Sequence, residues 1–447
     1  MRRKFDTIIL GCGVSGLVAA KILTDKGHSV KVIDHYEDPG GNHITRIVDG
    51  MEFDVGSIYF NEQDDQFRHF PELKAVCLPR SVRLEKVSPT GQVSRYPISL
   101  GSDVARRGVP FMVRSLASLT WAKLCGGQGT GAEREITAKL GRYFLFESGL
   151  AGYMQRLMGI PVDEVSGSFV ARRMQWVMRQ SISAVLWRSV RGRFRRSKRP
   201  VQVSTVPQNG TRPLFRPPGG FAAYYGLAVA VLRDRGVDFA LGRTIDRIAR
   251  DENGFHVVSG ECEWRADMIL STFPVALTSA LAGLPAPDIE AVTLVTLMVA
   301  FTGRRRFTGE VFFNFHPSGG WKRVTMMSAI YGTIDGEEYM SVECPLPSGT
   351  TADPEALYAE FVAHVTALKL FDGTFRLAGT STLSHAYPVL KIGYEAEQVR
   401  ALAALSALGI ETAGRQGKFD YIPHSSLATR LVEAQLSAAS TKQPQLL

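Results

Sequence analysis

A glycine-rich turn between two apolar strands is the feature that most constrains the fold of this chain. Ile8-Ile9-Leu10 predicts a strand, the turn Gly11-Cys12-Gly13-Val14-Ser15-Gly16 follows at once, and Leu17 to Leu23 predicts a helix. A second strand, Ser29 to Ile33, ends at Asp34. This strand–turn–helix–strand order is typical of the dinucleotide-binding βαβ unit. The sequence therefore predicts a Rossmann-type domain at the start of the chain.

Each residue type in the turn has a physical reason to be there. Gly11 permits the tight turn, Gly13 lets the backbone approach a pyrophosphate, and Gly16 lets the helix pack closely on the strand. The helix N-terminus offers free N–H groups to phosphate oxygens. Asp34 follows the second strand, where a carboxylate can accept hydrogen bonds from ribose hydroxyls. A bound dinucleotide is the expected ligand of these residues.

Composition places the chain among globular proteins. Of its residues, 45% are hydrophobic and 21% are charged, which is typical of a globular protein. Its length of 447 residues is enough for two domains and a sizeable core. The longest apolar region, Ala291 to Phe301, is too short to cross a membrane and predicts a buried strand. The basic start Met1-Arg2-Arg3-Lys4 leads into the first Rossmann strand, so we expect no signal peptide and no membrane-spanning segment.

The cysteines of the sequence argue against both a disulfide framework and a zinc site. The sequence has five, at positions 12, 77, 125, 262 and 344, without CxxC spacing or neighbouring histidine clusters. This odd and scattered set does not suit a disulfide framework or a zinc site, and it indicates a reducing compartment. We therefore expect a cytoplasmic protein without a bound metal.

Positive charge is concentrated in one stretch. The chain has a formal net charge of +9, and residues 188–199 hold much of it. This stretch is either a solvated loop or an attractive field for an anionic ligand or an acidic surface, and peripheral contact with anionic lipid stays among the alternatives. Nucleic acid is disfavoured, because neither interleaved aromatic residues nor a nucleic-acid module accompanies the stretch.

The remaining pattern predicts two interleaved domains in an α/β fold. Apolar spacing in Ile136–Phe146 and Ala151–Met158 predicts helices, and alternating residues from Val292 to Cys344 predict a sheet. Residues 1–60, 205–285 and 390–440 are assigned to the Rossmann-type domain. Residues 61–204 and 286–389 are assigned to a helical and β-sheet domain that would hold the substrate.

Several further motifs resemble those of the UDP-galactopyranose mutase family and its wider group of amine-oxidase-like and protoporphyrinogen-oxidase-like flavoproteins. The resemblance is patchy but runs over most of the chain. The motifs are Asp38-Pro39-Gly40-Gly41-Asn42-His43, the segment from Asp49 to Ser57, the segment from Gly159 to Arg173, Pro218-Gly219-Gly220-Phe221, Trp321-Lys322-Arg323, Tyr387-Pro388 and the closing stretch from Gly414 to Tyr421.

The resemblance implies that the dinucleotide is FAD. In these flavoproteins a double glycine after the second strand approaches the flavin end of the cofactor, and an arginine of the closing motif contacts it. The positions matched to cofactor binding are Gly11, Gly13, Ser15, Gly16, Asp34, Gly40, Gly41, Asn42, Gly56, Ser57, Ile245, Gly414, Arg415 and Ser426. Gly414 and Gly417 lie on either side of Arg415-Gln416, and these glycines also favour a close approach of the backbone to the cofactor.

The resemblance also implies a nucleotide-sugar substrate. Arg173, with Arg172 as the second choice, and Arg323 match the arginines that bind the diphosphate, and Tyr421 matches a tyrosine that reaches it. Arginine suits this task because its planar fork makes paired, charge-assisted hydrogen bonds to phosphate. Each residue also has a structural alternative: an exposed helix arginine for Arg173, a structural arginine for Arg323, and a core aromatic for Tyr421.

The implied activity interconverts pyranose and furanose forms of a nucleotide sugar through an N5 adduct of reduced FAD, as in cell-surface polysaccharide biosynthesis. One departure favours a rival. The family has a histidine shortly after the glycine of its Asp-Val-Gly segment, whereas here the order is Gly56-Ser57-Ile58. The rival is an FAD-dependent oxidoreductase of the amine-oxidase or desaturase type, which transfers hydride to the flavin. A flavoprotein that only binds is a third class, and the oligomeric state is open.

Overall fold

The computed structural model describes residues 4–56, 59–97, 100–174 and 212–440, with the side chains of 100–106, 173, 439 and 440 outside the description. The strands are β1 (Lys4–Leu10), β2 (Val30–Ile33), β3 (Ile44–Val48), β4 (Met51–Val55), β5 (Phe60–Asn61), β6 (Leu78–Pro79), β7 (Leu84–Val87), β8 (Val93–Arg95), β9 (Pro213–Phe215), β10 (Asp238–Ala240), β11 (Arg247–Asp251), β12 (Gly254–Ser259), β13 (Cys262–Ser271), β14 (Ala291–Arg305), β15 (Val311–Asn314), β16 (Arg323–Met326), β17 (Glu338–Leu346), β18 (Phe371–Pro388) and β19 (Ile410–Thr412).

The helices are α1 (Val14–Asp25), α2 (Gln66–His69), α3 (Pro71–Ala75), α4 (Leu100–Cys125), α5 (Gly131–Leu140), α6 (Arg142–Glu147), α7 (Leu150–Met158), α8 (Gly167–Arg173), α9 (Gly220–Asp234), α10 (Val275–Leu281), α11 (Met327–Tyr331), α12 (Pro354–Ala367), α13 (Tyr394–Ala407), α14 (Gly414–Gly417) and α15 (Ser425–Ser440). The helix predicted over Ile136–Phe146 is two helices, because Gly141 between α5 and α6 has a φ of +79° that interrupts the helical backbone.

The first sheet has the predicted Rossmann arrangement. Its strand order is β10-β2-β1-β13-β12-β11, and β19 pairs with the end of β13. The strands β10, β2, β1, β13 and β19 are parallel to their neighbours, while β11 and β12 form an antiparallel edge. The carboxyl ends of the parallel strands meet at one edge, where ligands of such sheets bind.

The second sheet belongs to the interleaved region. Its order is β18-β14-β17-β16-β15-β7-β8, antiparallel throughout except for the β15–β7 pair. The apolar run Ala291 to Phe301 lies in its central strand β14, as predicted. One face packs on α12 and the other on the β3–β4 ribbon and α11, which explains why the run shows no alternation.

Three apolar clusters connect these layers. One lies between the first sheet and helices α1, α9 and α15, a second lies between the second sheet and α12, and the largest joins helices α5 to α8 to both sheets. The α/β class, with a Rossmann-type domain interleaved with a helical and β-sheet region, is confirmed. The exact segment boundaries stay a prediction. In the described ranges no helix combines the length and the apolar character that a membrane crossing needs.

Candidate functional site

The glycine turn after β1 contains two glycines with different roles. Gly16 is required by the protein itself, because a Cβ there would overlap the carbonyl oxygen of Gly11. Gly13 caps the start of α1 with a φ of −80°, which any residue can adopt, and a Cβ there would have no atom nearer than 3.7 Å. The protein's own packing therefore gives no reason for a glycine at position 13. The space in front of Gly13 and the free N–H groups of α1 fit a pyrophosphate.

The Asp34 carboxylate lies beside this turn. It is buried, Oδ2 accepts a hydrogen bond of 2.6 Å from the backbone N–H of Cys12, and Oδ1 accepts one of 3.1 Å from that of Tyr36. These bonds fix the carboxylate at the end of β2. Oδ2 keeps a second lone pair for a ribose hydroxyl, while Oδ1 also lies 3.2 Å from Nδ1 of His35. Burial, followed by the charge of Asp34, raises the pKa of the Cys12 thiol, so that thiol stays neutral.

The double glycine packs directly against the first turn. Gly40 forms a parallel bridge with Gly13, and its N–H donates a 2.9 Å hydrogen bond to the carbonyl of Cys12. Gly41 has a φ of +61°, and a Cβ there would lie 3.2 Å from the Cα of Gly13. Gly41 thus permits the contact between the two turns, while a Cβ at Gly40 would lie 2.8 Å from the ring of Tyr225. Together the turns form one side of the predicted cofactor cradle.

The closing motif completes the cradle from the other end of the chain. Gly414 has a φ of +77°, and a Cβ there would lie 2.5 Å from Oγ of Ser15 at the start of α1. Nδ2 of Asn42 donates to the carbonyl oxygen of His385 over 3.1 Å, and Nε2 of Gln416 donates to the same oxygen. The Gly40–Asn42 turn and the closing motif are therefore joined through β18.

His43 is a neutral histidine at the edge of this cradle. Its Nδ1 lies 2.6 Å from the hydroxyl of Tyr225. Burial, and after it the charge of Arg415, lowers the pKa of His43 to about 3. Burial raises the pKa of Tyr225 well above its usual value, so its hydroxyl stays protonated and forms a hydrogen bond with the neutral His43 ring.

Arg415 and two tyrosines form the next part of the site. Burial lowers the pKa of Arg415, and the nearby hydroxyls of Tyr421 and Tyr387 oppose that effect. The rings of Tyr387 and Tyr421 meet edge to face at 6.1 Å, and Tyr421 meets Phe169 in the same way at 5.4 Å. The hydroxyl of Tyr387 donates to the carbonyl of Leu157 over 2.8 Å, which fixes that ring as a wall of the site.

Arg323 brings the second sheet to the cradle. It lies opposite Glu343 in the β16–β17 register, forms an ion pair with it, and donates from Nη2 to the carbonyl of Gly56 over 2.7 Å. Lys322 pairs with the other Glu343 oxygen at 2.6 Å. Burial alone raises the pKa of Glu343, but the charges of Arg323 and Lys322 outweigh it and hold that pKa below its usual value. Nε of Arg323 is buried and, among the described residues, has no hydrogen-bond partner.

The other predicted residues lie in different surroundings. Arg172 forms an ion pair with Asp420, one residue before Tyr421. The hydroxyl of Ser426 donates to Asp65 over 2.5 Å at the start of α15, and Ile245 is buried just before β11. Ser57, Ile58, the side chain of Arg173 and the stretch 188–199 lie outside the described residues. The structure thus brings Arg323, Arg415, Tyr421 and the glycine turns together.

Sequence reasoning missed Glu343, Lys322 and His43 as members of the site. The sequence does contain a signal for Glu343, which is the single charged residue in the run from Tyr339 to Leu346. Such a run predicts a buried strand, and a buried carboxylate needs a cationic partner. His43 had none beyond its place after the double glycine. As for metals, the part of the chain that the structure describes holds no group of three His, Cys, Asp or Glu residues suited to an ion.

Comparison with known sequences confirms the Rossmann-like domain at the start of the chain and matches only that part of it. A model of the NAD(P)-binding Rossmann-like domain family matches residues 9–73. The chloroplastic prolycopene isomerase of Daucus carota is 47% identical over 55 residues, which are 12% of this chain. That match covers only 9% of the length of the carrot protein. The chain has a Rossmann-like domain.

Comparison with solved structures extends to the whole chain. Reduced UDP-galactopyranose mutase has a TM-score of 0.79 and 15% identity, covering 99% of this chain and 97% of that one. Cyclohexylamine oxidase from Brevibacterium oxydans IH-35A has a TM-score of 0.62 and 16% identity, covering 98% and 99%. At these identities the likeness shows the fold alone. The fold is therefore one that a mutase and an amine oxidase share.

Proposed function

We propose that this chain is an FAD-dependent enzyme. The support is the cradle of Gly11, Gly13, Gly40, Gly41 and Gly414, in which a Cβ at Gly13 would meet no clash, so the protein's own packing does not require a glycine there. The N-terminus of α1 would bind the pyrophosphate, and Asp34 would accept the ribose hydroxyls. Arg415, beside His43 and the two tyrosines, would lie toward the flavin end.

Within that class we propose a mutase that interconverts the pyranose and furanose forms of a nucleotide sugar, as used in cell-surface polysaccharide biosynthesis. The observation that carries this proposal is the pair Lys322 and Arg323 on either side of a single carboxylate, with Arg323 bonded to Gly56 of the cradle. Two cations and one anion leave a net positive charge next to the cofactor site. That charge suits a diphosphate, which an amine or hydrocarbon substrate lacks.

The residues of the chain then have separate tasks. When bound in its reduced form, the flavin would supply N5 as a nucleophile toward the anomeric carbon of the sugar. Arg323 would hold the departing diphosphate, so that the same group can return to the sugar after the ring has changed size. The hydroxyl of Tyr421 would donate to a phosphate oxygen. Phe169 and Tyr387 pack around Tyr421 and would exclude water from that bond.

A second candidate is an FAD-dependent oxidoreductase of the amine-oxidase or desaturase type. One observation favours it: the Arg323 guanidinium already contacts Glu343 and the Gly56 carbonyl, which reduces its capacity for a phosphate. The aromatic wall of Tyr387, Tyr421 and Phe169 would equally line an apolar substrate channel. In that reaction the substrate loses hydride to the flavin, and an acceptor must then reoxidise the flavin.

The experiment that separates the two candidates follows turnover under two redox conditions. Purified, FAD-loaded protein is incubated with UDP-galactopyranose, first under dithionite without oxygen and then oxidised in air, and the products are resolved by chromatography and mass. A mutase gives a product of unchanged mass under dithionite and none in air. The Arg323→Ala variant, compared at equal flavin content, loses that product.

The control measures electron transfer. Cyclohexylamine and other amines are offered to the oxidised protein, and oxygen uptake is recorded alongside bleaching of the flavin absorbance. Substrate-driven bleaching with stoichiometric oxygen uptake, and no isomer under dithionite, would replace the mutase by the oxidase. A protein that stays colourless after addition of FAD would refute both candidates.

A further inference from the structure

The second part of α4 has an apolar side that faces solvent. Helical geometry is interrupted at Gly108, so residues 109–125 form a helix of their own. On this helix Val109, Val113, Trp121 and Leu124 are 64%, 55%, 57% and 78% exposed. Four large apolar side chains on one short helix form a patch, whereas isolated exposed residues need no explanation.

The exposed residues lie on one side of the helix. At 100° per residue, Val109, Val113, Leu124 and Trp121 fall within a sector of about 120°. The opposite side carries Phe111 and Ala122, which are buried, and it packs against the neighbouring helices α5 and α6. The helix is therefore already anchored to the protein through one side, and the exposed apolar side needs a different partner.

The helix 109–125 and the sequence next to it are basic. The sequence from Val104 to Ala132 contains no Asp or Glu, while it contains Arg106, Arg107, Arg114 and Lys123. Arg114 and Lys123 are exposed. The partner of this surface must therefore match apolar side chains and positive charge together.

We propose that the helix 109–125 docks the protein on an anionic lipid surface. An interfacial helix buries its apolar side chains at the boundary between headgroups and acyl chains, and its cations contact the lipid phosphates. Trp121 suits this boundary because its ring is apolar and its indole N–H is polar. A second copy of this chain is a poorer partner, since pairing two such faces would bring four exposed cations together.

This docking is independent of the reaction that the chain catalyses. The residues of the patch belong to α4, and none of them contributes to the cradle or to the cluster around Arg323. The docked helix would hold the protein at the membrane surface without crossing it. It also differs from a contact through residues 188–199, because the apolar side chains, and not charge alone, would provide the attachment.

The test uses the full-length, FAD-loaded protein and sedimentation with vesicles. Phosphatidylcholine vesicles are compared with vesicles that also contain phosphatidylglycerol, at low and at high salt. We expect binding to the anionic vesicles and its reduction by salt. The double variant Val113→Glu, Leu124→Glu should lower the partition coefficient by at least about tenfold. The matched control is Val399→Glu on α13, which is 65% exposed and should bind like wild type.

A second variant removes charge without touching the apolar residues. Arg114→Glu with Lys123→Glu should weaken binding to anionic vesicles, and flavin absorbance reports that each variant is folded. The proposal is overturned if wild type stays in the supernatant with anionic vesicles at low salt. It is equally overturned if the Val113→Glu, Leu124→Glu variant binds as well as wild type, or if that variant instead dissociates a dimer of the wild-type chain in gel filtration.

Discussion

Nη2 of Arg323 donates a 2.7 Å hydrogen bond to the backbone carbonyl of Gly56. This bond joins strand β16 of the second sheet to the residue that follows β4, in the segment matched to the flavin. Arg323 is also paired with the buried Glu343, so its guanidinium has a fixed position. A cation that is already ordered loses little conformational freedom when it binds an anion.

Replacing Arg323 by alanine should weaken the binding of a nucleoside diphosphate and leave the flavin in place. Loss of one charged hydrogen-bond donor costs about 1.5–3 kcal/mol, which is roughly a 10- to 100-fold rise in the dissociation constant for UDP. Isothermal calorimetry with UDP gives the constant, and the flavin absorbance spectrum gives the cofactor content.

A matched control for Arg323 lies in the same sheet. Arg376 on β18 is exposed and pairs with Asp49 and Glu337, away from the cradle. The Arg376→Ala variant should bind UDP like wild type. Equal UDP affinity in wild type and the Arg323→Ala variant would remove Arg323 from the substrate site and would favour the oxidase.

The two glycines at the start of α1 should respond differently to alanine. Gly16→Ala should destabilise the protein with or without cofactor, because its Cβ overlaps the Gly11 carbonyl oxygen. Gly13→Ala should lower the unfolding free energy of the cofactor-free protein by only about 0.5–1 kcal/mol, because alanine is a poorer N-cap than glycine but its Cβ meets no clash. FAD affinity should nevertheless fall, because the methyl group enters the space in front of α1.

Urea unfolding of the cofactor-free proteins and fluorescence titration with FAD measure these two quantities separately. A Gly13→Ala variant that binds FAD as tightly as wild type would mean that the pyrophosphate does not approach this turn. Equal destabilisation of both variants without cofactor would mean that Gly13, like Gly16, is needed for packing alone.

The Rossmann-type domain could be predicted because its determinants are local. The turn from Gly11 to Gly16, the helix after it and the strand that ends at Asp34 are contiguous, and each constrains the next. The buried strand β14 was also predictable, since the run from Ala291 to Phe301 has no charge. The break at Gly141 was not, because an isolated glycine in a helical pattern does not reveal a positive φ.

The site depends on contacts between distant parts of the chain. Arg323 and Tyr421 were named from the resemblance alone, yet the partners that set their surroundings are 20 or more positions away, as Glu343 is from Arg323 and Phe169 is from Tyr421. Such pairings follow from strand register and helix packing, which the local sequence pattern does not contain. The role of each residue toward a substrate stays a prediction.

Glu343 should be essential for the stability of this cluster. Replacement by leucine leaves Lys322 and Arg323 as buried cations without their carboxylate, which should cost about 3–5 kcal/mol of unfolding free energy. Glu343→Gln keeps an acceptor and should cost about 1–3 kcal/mol. Urea unfolding at pH 7 gives both values, and Glu338→Gln on the same strand is the control, since its pair with Arg305 is more exposed. Unchanged stability in Glu343→Leu would contradict the buried ion pair.

His43 should make the protein less stable in acid. Its pKa is lowered to about 3 in the folded protein, while an unfolded chain has the ordinary value near 6.5. Below pH 6.5 the unfolded state therefore binds a proton that the folded state does not. The free energy of unfolding is therefore unaffected by His43 above pH 6.5 and decreases as the pH falls from 6.5 toward 3. The slope of this decrease is up to about 1.4 kcal/mol per pH unit.

The variant His43→Gln should remove this slope. Between pH 7 and pH 5, the unfolding free energy of wild type should fall by about 2 kcal/mol more than that of the variant, because the other titrating groups are common to both. Urea unfolding at the two pH values gives the difference. Tyr225→Phe is the control: it deletes the hydrogen bond to Nδ1 but keeps His43 buried, and burial is the larger cause of the lowered pKa. If wild type and His43→Gln lose stability in parallel, the pKa of His43 is not lowered in the folded protein and this prediction is wrong.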